Sequence, residues 1–275
     1  MQLFAPAKIN LSFEIKARRD DRFHEIETLM APISLADRLT IERSAEPEID
    51  FSCDDSSLAG GDNLVLKAAE LFLRRTNATG GLKIQLEKKI PHGAGLGGGS
   101  SDAASTLLGL NDLFGTPLDQ ATLTGLAAQI GSDVPFFLAG SAAICRGRGE
   151  LVSPLKLERK LDLLLVKPDF GVPTPWAYAN WKDSRELPGV DYAAQEFCGM
   201  RFVNDLERPV FEKFTLLAHL KTWLRQQPEV GAALMSGSGS TLFAVLRDAT
   251  DAPLLIERIR REIDPRIWIF ACETR

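Results

Sequence analysis

The chain has 275 residues, of which 45% are hydrophobic and 25% charged, and its formal net charge is −5 at pH 7. This composition is typical of a globular protein and excludes a disordered or coiled-coil chain, and the length suits two domains of moderate size. Because binding to a phosphate backbone needs clustered Lys and Arg, the absence of a long basic run argues against duplex nucleic acid as a partner.

No segment of the sequence predicts a membrane span or a metal-binding cysteine cluster. The longest uncharged apolar run, "VPFFLAGSAAIC", is shorter than the roughly 18 residues that cross a bilayer. The start, "MQLFAPAKIN", lacks the basic segment and long apolar core of a signal peptide. The cysteines, Cys53, Cys145, Cys198 and Cys272, form no CxxC pair. We therefore expect a cytoplasmic protein with reduced thiols and no zinc knuckle.

The first half of the chain predicts a β-rich start. Ile9, Leu11, Phe13 and Ile15 alternate with their neighbours, which is typical of a half-buried strand. Further strands are predicted for "LTIER", "EIDFS" and "LKIQLEKKI".

Helices are predicted to follow these strands. The first, "DNLVLKAAELFLRR", can be capped by Asp62 or Asn63. The second, "SSDAASTLLGLNDLF", is expected to end at Gly115 and Pro117, and a third covers about 119–130.

The second half alternates strands and helices. "LDLLLVKPDFG" predicts a buried strand, "KDSRELPGVD" a loop, and "RPVFEKFTLLAHLKTWLRQQ" one long amphipathic helix. "MSGSGSTLFAVLRD" predicts a Gly/Ser turn before a strand, "APLLIERIRREI" a helix and "RIWIFACET" a closing strand. We predict an α+β protein with two domains, at 1–155 and 156–275.

The segment "PHGAGLGGGSSDAAS", which starts at residue 91, is the strongest chemical signal. Gly93 and Gly98 have the spacing of a Walker loop, but Gly99 stands where that loop needs its lysine, which excludes it. Gly93, Gly95 and Gly98 also match a dinucleotide fingerprint. That fingerprint needs a second strand ending in an acidic residue about 20 positions on, and helices are predicted there instead.

A third interpretation uses the backbone alone. Glycine-rich backbone can turn its N–H groups around a phosphate, and the start of the following helix adds a partial positive charge. Ser100 and Ser101 add hydroxyl donors or a magnesium ligand. Asp102 can stabilise the helix start or hold water around a magnesium ion, and the residues leave both open. The alternative for the whole segment is a flexible linker without a ligand.

Three motifs together resemble those of the GHMP kinases. They are the glycine-rich loop, "APAKINLSFEI" near the start and "MSGSGSTLFAV" at 235–245, and the resemblance covers essentially the whole chain. It implies the two-domain GHMP kinase fold: an N-terminal domain like domain 2 of ribosomal protein S5 and a ferredoxin-like C-terminal domain, with the site between them. It also implies phosphoryl transfer from ATP, with Mg²⁺, to a small-molecule hydroxyl.

Further segments narrow the resemblance to family members that act on a cytidyl diphosphate substrate. These are "RRDDRFHEIETLM", "GDNLVLKAA", "GSDVPFFL", "KPDFGVPTPWAY" and "FVNDLE". Where the family commonly reads D-G-Y-H, this chain has Asp21, Arg22, Phe23 and His24, so an aromatic face is kept and a phenol hydroxyl is lost. Alternatives are a mevalonate or homoserine kinase, a non-enzymatic nucleotide-binding regulator and a dehydrogenase. The sequence leaves the oligomeric state open.

The resemblance assigns Lys8 and Asp133 as the catalytic pair, with Asp133 as the base. From the residues alone, Asp133 can equally be a helix N-cap and Lys8 a surface charge. Asn10 lies two residues after Lys8 on the same strand face and is a candidate substrate contact.

The other site assignments also follow from the resemblance. The expected ATP-binding residues are Asn63, Leu64, Lys88, Pro91, His92, Gly93, Ala94, Gly95, Leu96, Gly97, Gly98, Gly99, Ser100 and Ser101. The expected substrate-binding residues are Asn10, Phe23, His24, Thr174 and Tyr178. Packing alone can also explain Tyr178, and Lys88 can be a solvated charge at a strand end.

Overall fold

The computed structural model describes residues 1–21, 23–115 and 118–275, so the predictions that involve Arg22 and Pro117 lie outside the described residues. The strands are β1 (Gln2–Arg18), β2 (His24–Ser44), β3 (Ile49–Cys53), β4 (Gly81–Glu87), β5 (Ala143–Gly147), β6 (Leu151–Pro154), β7 (Asp162–Lys167), β8 (Gln195–Phe197), β9 (Met200–Asn204), β10 (Val230–Met235), β11 (Leu242–Leu246) and β12 (Trp268–Glu273). The helices are α1 (Leu64–Thr76), α2 (Gly98–Leu113), α3 (Gln120–Ile130), α4 (Val134–Leu138), α5 (Thr174–Asn180), α6 (Glu207–Lys213), α7 (Thr215–Arg225) and α8 (Ala252–Glu262).

A mixed sheet of eight strands is built around the long antiparallel hairpin of β1 and β2. The strand order is β3-β4-β2-β1-β9-β8, and β5 pairs with the first part of β2 and with β6. Helices α1 to α4 pack together against this sheet around Phe72, Leu107 and Phe136, which are all buried. Asn63 caps α1 by accepting a hydrogen bond from Val65 N, as one of the two predicted caps.

The alternation predicted for β1 is present, but the strand is not half-buried where it passes the centre of the molecule. Ile9 and Leu11 enter the core on one face, as expected. On the other face, Lys8 and Asn10 are only 4% and 2% exposed. That second face is covered by the glycine-rich loop and by the second half of the chain, which is why polar residues on it are buried.

The last part of the chain forms a second, antiparallel sheet. Its order is β10-β11-β7-β12, and the elements follow each other as β7, α6 with α7, β10, β11, α8 and β12. This β-α-β-β-α-β succession is the expected ferredoxin-like arrangement. Leu164, Val166, Leu220 and Ala244 are fully buried in the core between this sheet and its helices.

Strand pairing, in addition to the connecting segment, joins the two halves of the chain. β9 comes from the second half and pairs in parallel with β1, with Ser12 opposite Val203 and Phe13 opposite Asn204. The domain boundary near residue 155 stays a prediction, and two strands that lie beyond it extend the first sheet.

The single long helix predicted for 208–227 is wrong, because the chain forms α6 and α7 with a break at Phe214. Phe214 has φ −109° and ψ 69°, outside the helical region. Its ring stacks on Phe170 at 5.3 Å and meets Trp176 edge-on at 5.7 Å. The turn at this residue places the ring in that cluster, which a continuous helical periodicity does not reveal.

Several elements were not predicted, namely β5, β6, β8, β9, β10, α4 and α5. Each has three to seven residues, too few for a clear periodicity. No helix in the described part of the chain has the length and apolarity needed to span a membrane. The four cysteines are free thiols.

The start of β4 gives a test of this packing. Gly81→Ala is expected to lower the free energy of unfolding by about 1–3 kcal/mol, because its Cβ would press on the carbonyl oxygens of Glu46 and Glu48. Gly125→Ala in α3 has open space around its Cβ and is expected to raise that free energy by about 0.5–1 kcal/mol. Urea unfolding measures both, and a Gly81→Ala variant as stable as the parent would contradict the close approach.

Candidate functional site

The glycine-rich loop between β4 and α2 lies closely against β1. Gly97 has φ 70° and precedes α2 without a side-chain hydrogen bond to the helix, so the first amides of α2 have no side-chain cap. A Cβ on Gly97 would lie 2.9 Å from Phe137 Cζ and 3.0 Å from Lys8 Cγ. The Lys8 amide donates to Leu96 O at 2.9 Å. Only glycine therefore fits between this helix start and the lysine.

A cavity of about 400 Å³ lies between the loop, β1 and the second half of the chain. The predicted site residues that line it are Lys8, Asn10, Asn63, Leu64, Lys88, Pro91, His92, Gly93, Ala94, Gly95, Leu96, Gly97, Gly98, Gly99, Ser100, Asp133, Thr174 and Tyr178. Ser101, Phe23 and His24 do not line it. The structure thus brings together residues from the start, the middle and the second half of the sequence.

Lys8 and Asp133 meet in this cavity. Lys8 Nζ lies 3.7 Å from Asp133 Oδ2 and donates to Asn10 Oδ1 at 2.6 Å. Asn10 Nδ2 donates in turn to Thr28 Oγ1 at 2.8 Å. The Lys8 side chain is 5% exposed, so it is not a surface charge. Asn10 uses both ends of its amide within the protein, which orients the lysine ammonium.

Asp133 occupies the N-cap position of α4, but its side chain makes no capping hydrogen bond there. The side chain is 39% exposed and points into the cavity that Lys8 also lines. A capping role therefore does not account for its carboxylate, which is free to contact a ligand.

Lys88 is held by two buried carboxylates. Its Nζ donates to Asp37 Oδ2 and, at 2.7 Å, to Asp102 Oδ2, and its side chain is 10% exposed. Asp37 Oδ1 also accepts the backbone N–H groups of Lys89 at 2.5 Å and Ile90 at 2.8 Å. The solvated-charge alternative for Lys88 is wrong, because the ion pairs join the two ends of the glycine-rich loop inside the protein.

This cluster has two carboxylates for one ammonium. Burial raises the pKa of Asp102 to about 7, against the opposing effect of Lys88 and with the help of the Asp37 charge. Burial alone would lower the pKa of Lys88, but the charges of Asp102 and Asp37 outweigh it and raise that pKa. Lys88 is therefore charged at neutral pH, and the raised pKa of Asp102 follows from its burial.

Two oxygens at the start of α2 lack a hydrogen-bond partner among the described residues. They are Ser101 Oγ and Asp102 Oδ1, and both are buried. Ser100, which immediately precedes Ser101, lines the cavity. Over the described ranges, no group of three or more His, Cys, Asp or Glu is placed to hold a metal ion.

Tyr178 connects the cavity to His24. The two rings stack with centroids 5.2 Å apart, and His24 also meets Trp181 edge-on at 5.9 Å. Burial, followed by the Arg18 charge, lowers the pKa of His24, so its imidazole is neutral at pH 7. Burial, followed by the Asp133 charge, raises the pKa of Tyr178. Packing explains only part of Tyr178, because this residue also faces the cavity.

Phe23 is 51% exposed, and the Arg148 guanidinium lies 4.7 Å from the centre of its ring. Arg148 itself lines the cavity, so this cation–π contact places Phe23 beside the site although Phe23 does not line it.

Thr174 begins α5, and its Oγ1 lies 2.8 Å from Ser238 Oγ. Ser238 belongs to the turn between β10 and β11, which also lines the cavity through Gly237. The hydroxyl-bearing residues Thr174 and Ser238 line the cavity on the side formed by the second half of the chain.

Sequence reasoning missed five residues of the site, namely Asp37, Thr28, Arg148, Gly237 and Ser238. Gly237 and Ser238 lie within the quoted Gly/Ser motif, which was the available signal. Thr28 lies within the quoted segment "RRDDRFHEIETLM", whereas Asp37 and Arg148 lie outside every quoted segment. The fold brings Arg148 to the cavity, and Asp37 reaches the site through its ion pair with Lys88.

Two family models match the chain: the GHMP kinases N terminal domain at residues 63–141 and the GHMP kinases C terminal domain at residues 193–264. A 4-diphosphocytidyl-2-C-methyl-D-erythritol kinase from Methylacidiphilum infernorum is 43% identical over 97% of this chain and 94% of its own length. A kinase of the same name from Prochlorococcus marinus is 40% identical over 94% of this chain and 88% of its own length.

Solved structures agree with these matches. A crystal structure of 4-(cytidine 5'-diphospho)-2C-methyl-D-erythritol kinase has a TM-score of 0.82 and 36% identity, and covers 100% of this chain and 99% of the other. A homoserine kinase from Cytophaga hutchinsonii has a TM-score of 0.68 at 18% identity, over 100% of this chain and 94% of its own, and shows the fold alone. The predicted two-domain fold is confirmed. Both family models match, and relatives that are 43% and 40% identical in sequence align with nearly the whole chain. This chain therefore belongs to the GHMP kinase family.

Proposed function

We propose that this chain transfers the γ-phosphate of ATP to the 2-hydroxyl of 4-diphosphocytidyl-2-C-methyl-D-erythritol, in the non-mevalonate pathway to isoprenoid precursors. The observation that carries the proposal is the Lys8–Asp133 pair, which lies in one cavity with the glycine-rich loop. The kinases of that name that match nearly the whole chain support the choice of substrate.

ATP is the proposed phosphate donor, as in GHMP kinases generally. Its phosphates would lie against the loop amides and the uncapped start of α2, where backbone N–H groups and the helix dipole favour negative charge. Asn63 and Leu64, which line the same cavity at the start of α1, are the proposed contacts of the adenine. Lys88 would act mainly by holding the loop, because its ammonium is engaged by Asp37 and Asp102.

Mg²⁺ is part of the same proposal. This ion is usually bound by one or two carboxylates together with water and substrate phosphates. Asp102 Oδ1, buried without a partner among the described residues, and the Ser100 hydroxyl belong to residues that line the cavity, and they fit such an ion. When bound, it would neutralise charge on the phosphate oxygens.

Phosphoryl transfer needs a base, a positive charge and an aligned hydroxyl. The acceptor oxygen forms a bond to the γ-phosphorus, the bond to the β,γ-bridging oxygen breaks, and ADP leaves. Asp133 accepts the hydroxyl proton. The Lys8 ammonium, oriented by Asn10, stabilises the negative charge that develops on the transferring group.

The cytidine end of the substrate is proposed to bind near Tyr178 and His24. Tyr178 offers a flat ring, and the neutral imidazole of His24 offers one donor and one acceptor for a base edge. Phe23 supplies a second aromatic face although it lacks the usual hydroxyl, and Arg148 lies against that face. Thr174 is the proposed polar contact on the opposite wall.

The remaining expectations belong to this proposal as well. They are a cytoplasmic location, a small-molecule substrate and no partner among membranes or nucleic acids, with the oligomeric state left open. A homoserine kinase and a mevalonate kinase share the fold at 18% and 14% identity, and these two activities are the alternatives within the family.

A coupled assay of ADP release separates these activities. We expect turnover with the cytidyl substrate and none above background with mevalonate or homoserine. Turnover with either of those two and not with the cytidyl substrate would contradict the proposal. Stabilisation of the chain against heat by MgATP and not by NAD(H) would exclude a dehydrogenase, and turnover itself would exclude a non-enzymatic regulator.

Asp133→Asn tests the base. The amide cannot accept the proton, so we expect kcat to fall by about 10²–10⁴-fold while the affinity for MgATP changes little. Asp119→Asn is the matched control, because Asp119 caps α3 and asparagine caps a helix equally well. An Asp133→Asn variant with a kcat close to that of the parent would rule out Asp133 as the base.

The pH dependence of KM tests His24. Because the pKa of His24 is lowered from its usual value of about 6.5, the imidazole stays neutral from pH 8 down to that value and loses its acceptor only in more acidic solution. We expect KM for the cytidyl substrate to be flat above pH 6.5 and to rise below it, and His24→Gln to remove this rise. A rise that persists in His24→Gln would assign it to another group.

A further inference from the structure

The Gly/Ser turn of residues 236–241 touches both halves of the proposed site. A Cβ on Gly237 would lie 3.3 Å from Asn10 Oδ1 and 3.4 Å from Lys8 Nζ. On its other side, the turn is bonded to the glycine-rich loop, because Ser236 Oγ donates to Gly95 O at 2.9 Å and Thr241 N donates to Ala94 O at 3.2 Å. A displacement of this turn would therefore move the groups around the Lys8 ammonium.

The turn is held from behind by Asn204, at the end of β9. Asn204 Nδ2 donates to Met235 O at 2.7 Å and to Gly237 O at 2.8 Å, while its Oδ1 accepts from Leu206 N at 2.9 Å. The residue is 5% exposed, so water does not replace these bonds. Both donors of one buried amide thus fix the first residues of a turn that is otherwise rich in flexible glycine and serine.

Glu207, at the start of α6, completes the contact. Its Oε1 accepts from Met235 N at 2.9 Å, and its Oε2 accepts from Lys221 Nζ at 2.5 Å. Lys221 Nζ also donates to Asp191 O at 2.8 Å. Both polar groups of the Met235 backbone are therefore held by side chains of a single four-residue segment.

Asp205, which follows Asn204, joins the same segment to β1. Asp205 N donates to Phe13 O at 3.0 Å, and Asp205 Oδ2 accepts from Ile15 N at 2.7 Å. The segment 204–207 consequently connects the strand that carries Lys8 with the turn that contacts Lys8.

We propose that Asn204 and Glu207 are positioning residues, which set the Gly/Ser turn against Lys8 and Asn10 without touching the substrate. This inference rests on the proposed function, because it predicts an effect on the phosphoryl transfer step. The effect should appear in kcat more than in nucleotide binding, since the loop keeps its own anchors at Leu96 O and at the amides of Lys89 and Ile90.

Asn204→Asp is the decisive variant. It keeps the size of the side chain and the acceptor for Leu206 N, but it turns a carboxylate oxygen towards the carbonyl oxygens of Met235 and Gly237. We expect kcat of the folded enzyme to fall at least tenfold, measured by ADP release with the cytidyl substrate well below the unfolding temperature. KM for MgATP is expected to change less than threefold.

Gln195→Glu is the matched control. Gln195 has a buried side-chain amide, 6% exposed, that bonds β10, the strand that ends at Met235. Its Nε2 donates to Ala233 O at 2.7 Å, and its Oε1 accepts from Ala233 N at 2.9 Å. It is expected to lose thermal stability as Asn204→Asp does, but to keep kcat within twofold of the parent. If Asn204→Asp does not fold, Asn204→Ala, which removes both donors without adding a charge, is measured in its place.

The outcomes separate the two proposals. Parent turnover together with an Asn204 variant whose kcat is within twofold of the parent would overturn the positioning role alone. An equal loss of kcat in Gln195→Glu would also overturn it, because the effect would then be one of general stability. Absence of parent turnover with the cytidyl substrate would overturn the proposed function and this inference with it.

Discussion

The buried ammonium of Lys8 is the interaction on which the architecture of the site depends. A charge removed from water is costly unless polar groups replace its hydration. Asn10 Oδ1 at 2.6 Å and Asp133 Oδ2 at 3.7 Å supply that replacement. Gly97 and Gly237 leave room for the side chain where any Cβ would crowd it. Four segments that are far apart in sequence, at Lys8, Gly97, Asp133 and Gly237, must therefore be correctly assembled before this one charge can be accommodated.

Lys88, the second buried lysine of the site, faces two carboxylates, so negative charge is in excess around it. It precedes the glycine-rich loop and pairs with Asp102 in the first turns of α2, which follow that loop. This pairing explains how an aspartate can stand beside the proposed phosphate site. The Asp102 charge is directed at Lys88, and its raised pKa limits the net negative charge of the cluster. The loop amides are left as the groups that face an anion.

The sequence predicts those parts of the molecule whose signal is local. The alternation in β1, the Asn63 cap and the glycine-rich loop all lie within short segments, and each agrees with the structure. Only the family resemblance identifies Lys8 and Asp133 as candidate catalytic residues, because the local sequence alone also allows a surface charge for Lys8 and a helix N-cap for Asp133. The sequence does not predict the break at Phe214 because apolar periodicity runs through it, and the stacking of its ring on Phe170 joins segments that are far apart in the sequence. The Lys88–Asp37 pair spans 51 residues, and no pattern in either segment points to the other.

The parallel contact between β9 and β1 limits how the molecule can admit a substrate. A second seam lies at the other end, where Arg275 N donates to Pro32 O at 2.9 Å and Thr274 bridges to Ile33. Because the two halves are bonded to each other at both of these places, they cannot separate without breaking backbone hydrogen bonds. Any opening of the cavity that leaves these backbone hydrogen bonds intact is therefore confined to segments outside the two contacts.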